Sequence, residues 1–304
     1  MAFINSSDVS QFTTRVRTVT DNGGTTTSDF QAILDRWTTF RELHSQAAIN
    51  LAKAVTTGTT EDLATLRALA IAEATATTVT EATVSNVVAG QVFEALRTEY
   101  APVAAANYER IRKAFNETAG RFIKAVEIVH PDAAPEQLMS ATAPIRSAWA
   151  DAPMLALELD AQAVVLAEAA NLAGYRTGQK QHSIGLTVNT DGLHRRRVYE
   201  AWDTSTGRTR RWGALLDLGA TIEAPALDEY EAYREPADIL IKQERHGIGW
   251  VNVEIDPEDT EYELDTHSAL EVERHANRPE VTVADGEAER LIGTFPHTIE
   301  DTKA

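Results

Sequence analysis

The chain has 304 residues, of which 43% are apolar, and it contains no cysteine. This length accommodates roughly two domains with a real hydrophobic core, and the lack of cysteine excludes disulfide bonds, thiolate nucleophiles and cysteine-ligated zinc. Of the formal net charge of −18, a charge of −16 falls on residues 213–304, where 23 Asp/Glu face 7 Lys/Arg. Because such an acidic end repels nucleic acid, DNA is a poor candidate partner for it.

The first 175 residues are predicted to be helical throughout. Apolar residues recur there at spacings of three and four, as in the run from Val9 to Val19. Gly58 is placed to end one helix and Pro102 to begin another, whereas Pro144 interrupts a later one. The predicted helices span residues 8–20, 28–57, 60–100, 102–130, 132–149 and 151–172.

Small residues dominate the predicted helix over residues 60–100, as in the stretch EATATTVTEATVSNVVAG, residues 73–90. Since small side chains form only a thin apolar stripe, this helix is expected to pack closely against a neighbour. Thr and Val have low helix propensity, which favours a break near Thr77 and Thr78.

After Gly178 the apolar pattern changes to a period of two and turn residues become frequent. Residues 183–218 are predicted to form a three-stranded antiparallel meander with a glycine available at each bend. Further strands are predicted at ADILIKQ (237–243), GWVNVEI (249–255) and PEVTVAD (279–285). The predicted fold class is therefore α+β, with a mainly helical N-terminal part of long helices and a smaller antiparallel β-rich C-terminal part.

These patterns predict three domains. Residues 1–177 are expected to form a helical domain, and residues 178–258 an antiparallel β domain. Residues 259–304 are expected to be an acidic C-terminal extension, because this part of the chain is rich in Asp and Glu.

The stretch HRRRVYEAWDTSTGRTRRW, residues 194–212, is densely basic, with six arginines from Arg195 to Arg211. Three interpretations are open: a solvated hairpin face with cross-strand charge pairs, a protein-contact surface, or a phosphate-binding site. In the first, Glu200 and Asp203 pair with arginines of the neighbouring strand. A salt titration tests the third interpretation, because six phosphate contacts would lose about a thousandfold in affinity between about 50 and 200 mM salt.

A metal site is one of two interpretations of the stretch HSALEVERH. His267, Glu271 and His275 lie on one face if Thr266 caps a helix, and two imidazoles with a carboxylate can bind zinc or iron. The alternative is a plain polar helix. The acidic run over residues 256–265 offers oxygen ligands for Ca²⁺ but lacks the glycine that an EF-hand loop needs, so its alternative is a solvated acidic loop.

Other catalytic signatures are missing from the sequence. Ser183 follows His182, but neighbours on a strand face opposite ways, and no nucleophile-elbow pattern surrounds either residue. The sequence has neither a glycine-rich phosphate loop nor a dinucleotide fingerprint, so no cofactor is expected. Whether the protein is an enzyme stays open, with a non-enzymatic role favoured.

Residues 96–149 resemble the helical region of MuF-like head morphogenesis proteins of tailed phages that infect actinobacteria. The later block AWDTSTGRTRRWGALLD, residues 201–217, is similar to the short block that follows the helices in that family. The family usually carries Cys and His in this block, whereas this chain has no Cys, so no functional residue is carried over. The resemblance depends on Tyr100, Ala104 to Ala106, Tyr108, Glu109, Arg110, the Pro-Glu-Gln of residues 135–137, and Trp149.

The resemblance implies a structural or assembly protein of a phage-like particle, such as a minor capsid or portal-associated component. Its expected partners are further copies of itself or other virion proteins such as portal or capsid, with no membrane and no nucleic acid. A capsid-processing or metal-dependent hydrolase is one alternative, and a helical scaffold is another. The N-terminus lacks the features of a signal peptide and no run of eighteen apolar residues occurs, so the expected location is the virion or the host cytoplasm.

Overall fold

The structure is a computed structural model that describes residues 5–42, 47–57, 63–75, 78–246 and 249–258. The chain forms two compact units, Met1–Pro236 and Ala237–Ala304. The described part of the first unit consists of ten helices and one pair of very short strands, and that of the second contains a β-hairpin.

The elements of the first unit follow one another with short connections. Its helices are α1 (Ser6–Asp21), α2 (Ser28–Glu42), α3 (Ala47–Thr57), α4 (Leu63–Thr75), α5 (Thr78–Ile128), α6 (Pro135–Leu138), α7 (Ala143–Leu172), α8 (Lys180–Thr187), α9 (Arg195–Trp202) and α10 (Arg210–Asp217). The strands β1 (Val188–Asn189) and β2 (Thr221–Ile222) pair antiparallel. The strands of the second unit are β3 (Leu240–His246) and β4 (Gly249–Ile255).

Helix α1 covers the helix predicted over residues 8–20 and begins two residues earlier, at Ser6. Asn5 caps its N-terminus, because its side chain accepts a hydrogen bond from the Ser7 amide at 2.7 Å while the Asp8 carboxylate accepts one from the Asn5 amide at 2.7 Å. After its end, Gly23 adopts a φ of 98°, a conformation that glycine takes without strain. The amphipathic helix predicted over residues 8–20 is therefore confirmed.

Helix α5 is the structural axis of the first unit. Its 51 residues span roughly 75 Å, and its buried residues recur every three or four positions. The N-terminal part of this stripe, including Leu96 and Tyr100, packs with α1 and α2 in one hydrophobic cluster. The C-terminal part, including Phe115 and Phe122, packs with α7 and with α8 to α10 in a second cluster.

Two of the predicted helix boundaries at prolines are wrong. Pro102 lies inside α5, not at the start of a new helix. The Pro102 side chain is exposed, so the backbone hydrogen bond that proline cannot make is lost on the solvent side of the helix. Tyr100 and Ala104 on either side of it stay buried on the same face of α5. Pro144 does not interrupt a helix either, since it lies in the first turn of α7, where a missing amide costs least.

The predicted three-stranded meander over residues 183–218 is wrong, because most of this segment folds as α8, α9 and α10. The positions of the turns were correct, since Gly192 and Gly207 both adopt positive φ between the elements. In α9, Val198, Ala201 and Trp202 are buried, which is helical spacing. Over only eight residues, the apolar positions of the sequence fit a strand as well as a helix. The packing of these three side chains against α5 and α7 stabilises the helix relative to the strand.

The second unit contains the antiparallel hairpin that the sequence predicts. Strand β3 pairs with β4 in a register that sets Leu240 opposite Ile255 and Lys242 opposite Val253. The strand predicted at residues 249–255 is therefore confirmed in place and type, and the one predicted at residues 237–243 is confirmed in type but lies three residues further along the chain. The strand predicted at residues 279–285 lies outside the described residues.

Candidate contact surface

Helices α3 and α4 form an antiparallel helical hairpin with a narrow seam. The seam consists of Ala47, Leu51 and Ala54 on α3 facing Leu66, Ala70 and Glu73 on α4, the residues of these helices that are at least partly buried. Glu73 also fixes the pairing of the two helices, because its carboxylate accepts a hydrogen bond from the Ala47 amide at 2.8 Å and so caps α3.

Outside the seam, the hairpin leaves large apolar side chains in solvent. Nine of the thirteen residues of α4 are Ala, Leu or Ile, they lie on all sides of the helix, and none is fully buried. The exposed fractions are 65% for Ile49, 60% for Val55, 43% for Leu63, 53% for Leu69 and 54% for Ile71. A helix that is apolar all round is normally buried, so the hairpin has the composition of an interior element but the exposure of a surface one.

One side of the hairpin is more apolar than the other. With about 100° between successive residues, Ala48 and Val55 lie roughly 90° from the seam of α3. Leu63 and Ile71 lie on the same side of α4, together with Arg67. The opposite side carries Asn50, Lys53, Thr65 and Leu69. We call the first side, defined by Ala48, Val55, Leu63 and Ile71, the hairpin contact face.

Further apolar side chains are exposed on the two long helices. Val84 and Val87 lie in solvent near the start of α5, and Met154, Leu157 and Val164 do so on α7. A groove of about 710 Å³ runs between α5 and α7, with apolar residues such as Ala125 and Leu155 and a rim that includes Lys124 and Asp151.

Two arginines of the basic stretch, Arg208 and Arg211, connect elements of the first unit, and the predicted cross-strand pairs are wrong because the expected strands are helices. Arg208 lies over the ring of Trp149 at 3.3 Å, and its amide donates to the Asp132 carboxylate at 2.8 Å, which ties α10 to the segment before α7. Arg211 lies over the ring of Trp202 at 4.9 Å and its Nε is 3.4 Å from an Asp160 carboxylate oxygen. These contacts use aromatic faces and carboxylates of the same chain.

Asp203 also has a partner other than the one predicted. Its carboxylate lies 2.5 Å from the ammonium group of Lys180, which sits 3.4 Å from the centre of the Tyr199 ring. The Lys180–Asp203 pair therefore links α8 to the end of α9, because helices replace the expected strands.

A cleft of about 550 Å³ opens beside α8, and its walls include Arg112, Asp191, Glu223 and Arg234. Arg112 is paired with Glu109 at 2.7 Å, and this hydrogen bond holds the pKa of the Glu109 carboxyl below its usual range. The residues that line the cleft include no His, Ser or Lys, but they include Thr190 and Tyr233 beside the carboxylates of Asp191 and Glu223.

The segment over residues 225–233 closes one side of this cleft. Tyr108 donates to the Pro225 carbonyl at 2.9 Å, and the Tyr233 amide donates to the Gln181 carbonyl at 2.9 Å. Gly185 allows the close approach, since a Cβ there would overlap the Glu231 carbonyl oxygen.

The predicted metal ligands His267, Glu271 and His275 lie outside the described residues, as does most of the acidic run over residues 256–265. Within the described residues, no three His, Asp or Glu side chains come together in a way that could hold a metal ion. His182 and Ser183 both lie on α8, where His182 contacts the Tyr230 hydroxyl through Nδ1 at 2.9 Å.

None of the helices in the described residues combines the length and apolar composition that crossing a bilayer requires. No protein-family model, curated protein or solved structure matches this chain. The contacts and exposed surfaces described above are therefore the main guide to function.

Sequence reasoning missed the hairpin contact face. It treated residues 60–100 as a helix with a thin apolar stripe and a break near Thr77 and Thr78, so the apolar residues on every side of α4 were not recognised as a surface. The signal was present in the sequence LATLRALAIAEAT, where Leu, Ile and Ala occupy all directions of a helical wheel.

Proposed function

We propose that this protein is a structural or assembly component that works through protein–protein contacts. The observation that carries the proposal is the α3–α4 hairpin, whose Val55, Leu69 and Ile71 are each more than half exposed. Exposed apolar surface of this kind is destabilising in a free monomer and marks an interaction site in a soluble protein.

The rest of the first unit supports a contact role over a catalytic one. Its strongest charge clusters, around Arg112 and Arg211, are paired within the chain, and its largest groups of buried side chains are apolar. A rod such as α5, of roughly 75 Å, presents its exposed face over a long distance, which suits binding to several neighbours.

The particle that we propose for this role is a phage-like virion or its assembly intermediate. The support is the resemblance of residues 96–149 to MuF-like head morphogenesis proteins, together with the acidic composition and the lack of cysteine. In that setting the protein would be a minor capsid or portal-associated component.

The test is cross-linking mass spectrometry of the protein co-expressed with the products of the genes adjoining its own. The proposal predicts cross-links from the first unit to a portal, capsid or other virion protein, or to a second copy of the chain. A matched sample with Val55→Glu and Ile71→Glu should lose the cross-links that involve the hairpin. A chain that cross-links to no protein and remains monomeric in negative-stain images would contradict the proposal.

A further inference from the structure

We propose that Asn22, the residue that caps the C-terminus of α1, is a modification site. Its side-chain amide is converted through a succinimide to aspartate and isoaspartate. This conversion loosens the end of α1 where that helix packs against α5. The site is independent of the contact role proposed above, because it lies on α1 and not on the α3–α4 hairpin.

Asn22 is followed by Gly23, and this is the only Asn–Gly pair in the sequence. Glycine has no side chain to shield its backbone nitrogen, so this nitrogen reaches the preceding side chain more easily than that of any other residue type. Both residues are exposed, and apart from chain neighbours no described atom lies within 4 Å of the position that a Gly23 Cβ would take. The described residues therefore leave room for a ring between the two.

The reaction uses only the chain and water. The Gly23 backbone nitrogen attacks the Asn22 Cγ and closes a cyclic imide, while the bond from Cγ to the side-chain nitrogen breaks. The Gly23 amide proton goes to a base in the solvent, and the side-chain nitrogen takes up a proton and leaves as ammonia. Water then adds to one of the two ring carbonyl carbons. Opening at Cγ gives aspartate, and opening at the main-chain carbonyl gives isoaspartate.

The fold controls the rate, because both reacting groups take part in hydrogen bonds that end α1. The Asn22 Nδ2 donates to the Thr18 carbonyl at 2.8 Å, and the Gly23 amide donates to the Thr20 carbonyl at 3.2 Å. Both bonds must break before the ring can close. Conversion is therefore expected in conformations where the last turn of α1 is open, and such openings are most frequent at exposed helix ends.

The aspartate product loses a hydrogen bond and adds a charge in an unfavourable place. A carboxylate cannot donate to the Thr18 carbonyl. The new charge adjoins Asp21 at the C-terminus of α1, where the helix dipole is negative and the last turn has no basic residue. The closed form of the turn is therefore less stable after the conversion than before it.

The isoaspartate product changes the backbone itself, because it adds a methylene group to the main chain. The turn has little room for it, since a Cβ on Gly24 would lie 2.7 Å from a Val19 methyl carbon. Both sides of the turn are also anchored: Val19 is fully buried, and the Thr25 amide donates to the buried Asn107 of α5 at 2.8 Å. The longer backbone must therefore loosen at least one of these two contacts.

The test is peptide mass spectrometry of the folded full chain after incubation in warm, mildly alkaline buffer. Trypsin releases Asn22 in the peptide of residues 18–36. We expect this peptide to gain the mass that replacing NH₂ by OH adds, and isoaspartyl methyltransferase to label part of it. The control is within the chain, because Asn86 is exposed but followed by Val87, and its peptide should keep its mass.

A second measurement tests the effect on α1. Asn22→Asp places the aspartate product in every molecule, and hydrogen exchange of the Gly24 amide, which donates to the Val19 carbonyl at 2.9 Å, should become faster. We expect an increase of about fivefold, which corresponds to the loss of one hydrogen bond. Asn86→Asp adds the same charge at an exposed position of α5 and should leave this exchange unchanged. Asn22→Ser lacks the reacting amide, so its peptide 18–36 should keep its mass.

Each result supports or overturns the modification site. If the peptide 18–36 keeps its mass in the folded chain, Asn22 is not a modification site, and conversion in the urea-unfolded chain alone would mean that the fold prevents it. Conversion of Asn86 at the same rate as Asn22 removes the special role of Gly23. Equal exchange of the Gly24 amide in the wild type and in Asn22→Asp would show that the conversion does not loosen α1. Cross-linking of the hairpin variants tests the contact role separately.

Discussion

The two apolar regions of the first unit differ in what covers them. Around Phe115 and Trp212, aromatic side chains from α5, α9 and α10 cover one another, and the ring centres of this pair lie 6.0 Å apart. In the α3–α4 hairpin, Leu and Ile side chains of similar hydrophobicity remain in solvent. The first region is therefore covered by the chain itself, whereas the second is the exposed apolar surface on which the proposed contact role rests.

The largest expected effect is the loss of a core aromatic. Trp212→Ala should destabilise the protein by about 3–5 kcal/mol, because it leaves a cavity between Phe115 and Trp202. The matched change Leu69→Ala should alter the free energy of unfolding by less than about 0.5 kcal/mol, since the side chain is exposed. Urea denaturation followed by circular dichroism measures both, and equal losses would remove the contrast between the two regions.

A smaller effect is expected at the buried polar contact between α5 and the start of α2. The Asn107 side chain accepts from the Thr25 amide and donates to the Thr25 carbonyl, both at 2.8 Å, and it is fully buried. Asn107→Leu leaves both backbone groups unsatisfied and should cost about 1–3 kcal/mol. The exposed Asn86→Leu on the same helix is the control, and a similar loss there would contradict the assignment.

An effect of about 1 kcal/mol is expected at the cap of the hairpin. Glu73→Ala removes the acceptor of the Ala47 amide and should loosen the first turn of α3. Hydrogen exchange of the amides in α3 should become faster, while those around Phe115 stay protected. Glu117→Ala, an exposed change on α5, should leave the exchange of α3 as it is in the wild type.

The smallest effect on stability at neutral pH is expected from the ionisation of the buried tyrosines, because they lose their protons only in alkali. Burial raises the pKa of Tyr100, Tyr108 and Tyr230 above the ordinary value of about 10. Because the folded state then holds these protons more tightly than the unfolded state, stability is complete below about pH 10 and falls as the pH rises further.

Denaturation curves measured at neutral pH and between about pH 10 and 12 check this dependence. Tyr108→Phe should make it shallower, whereas the hairpin variant Leu69→Ala should not change it. A loss of stability in alkali that is the same with and without Tyr108 would contradict the role of this residue.

The sequence predicted elements well where one apolar period was clear along the whole element. The run from Val9 to Val19 and the strands around Leu240 and Val253 are strongly patterned, and each is of the predicted type. It failed in α8 to α10, because eight-residue elements such as α9 satisfy both a helical and an alternating pattern.

The candidate site was harder to predict than the fold. His267, Glu271 and His275 stay a prediction, because they lie outside the described residues. The arginines of residues 194–212 suggested an exposed basic surface, yet Arg208 and Arg211 stack on Trp149 and Trp202. Trp149 is distant from Arg208 in sequence, and Trp202 is nine residues from Arg211, so neither pair is evident before the chain folds.

The amino-acid sequence by itself determined the mainly helical character of the described residues before Ala173, the turns at Gly192 and Gly207, and the uneven charge. These depend on local periodicity, backbone freedom and composition, which a neighbouring element rarely overrides. Only the tertiary structure decided that α5 continues through Pro102, that residues 180–217 are mainly helical, and that the hairpin face is exposed. Each of these depends on which surfaces meet, and burial against distant residues outweighs the small local preferences of short segments.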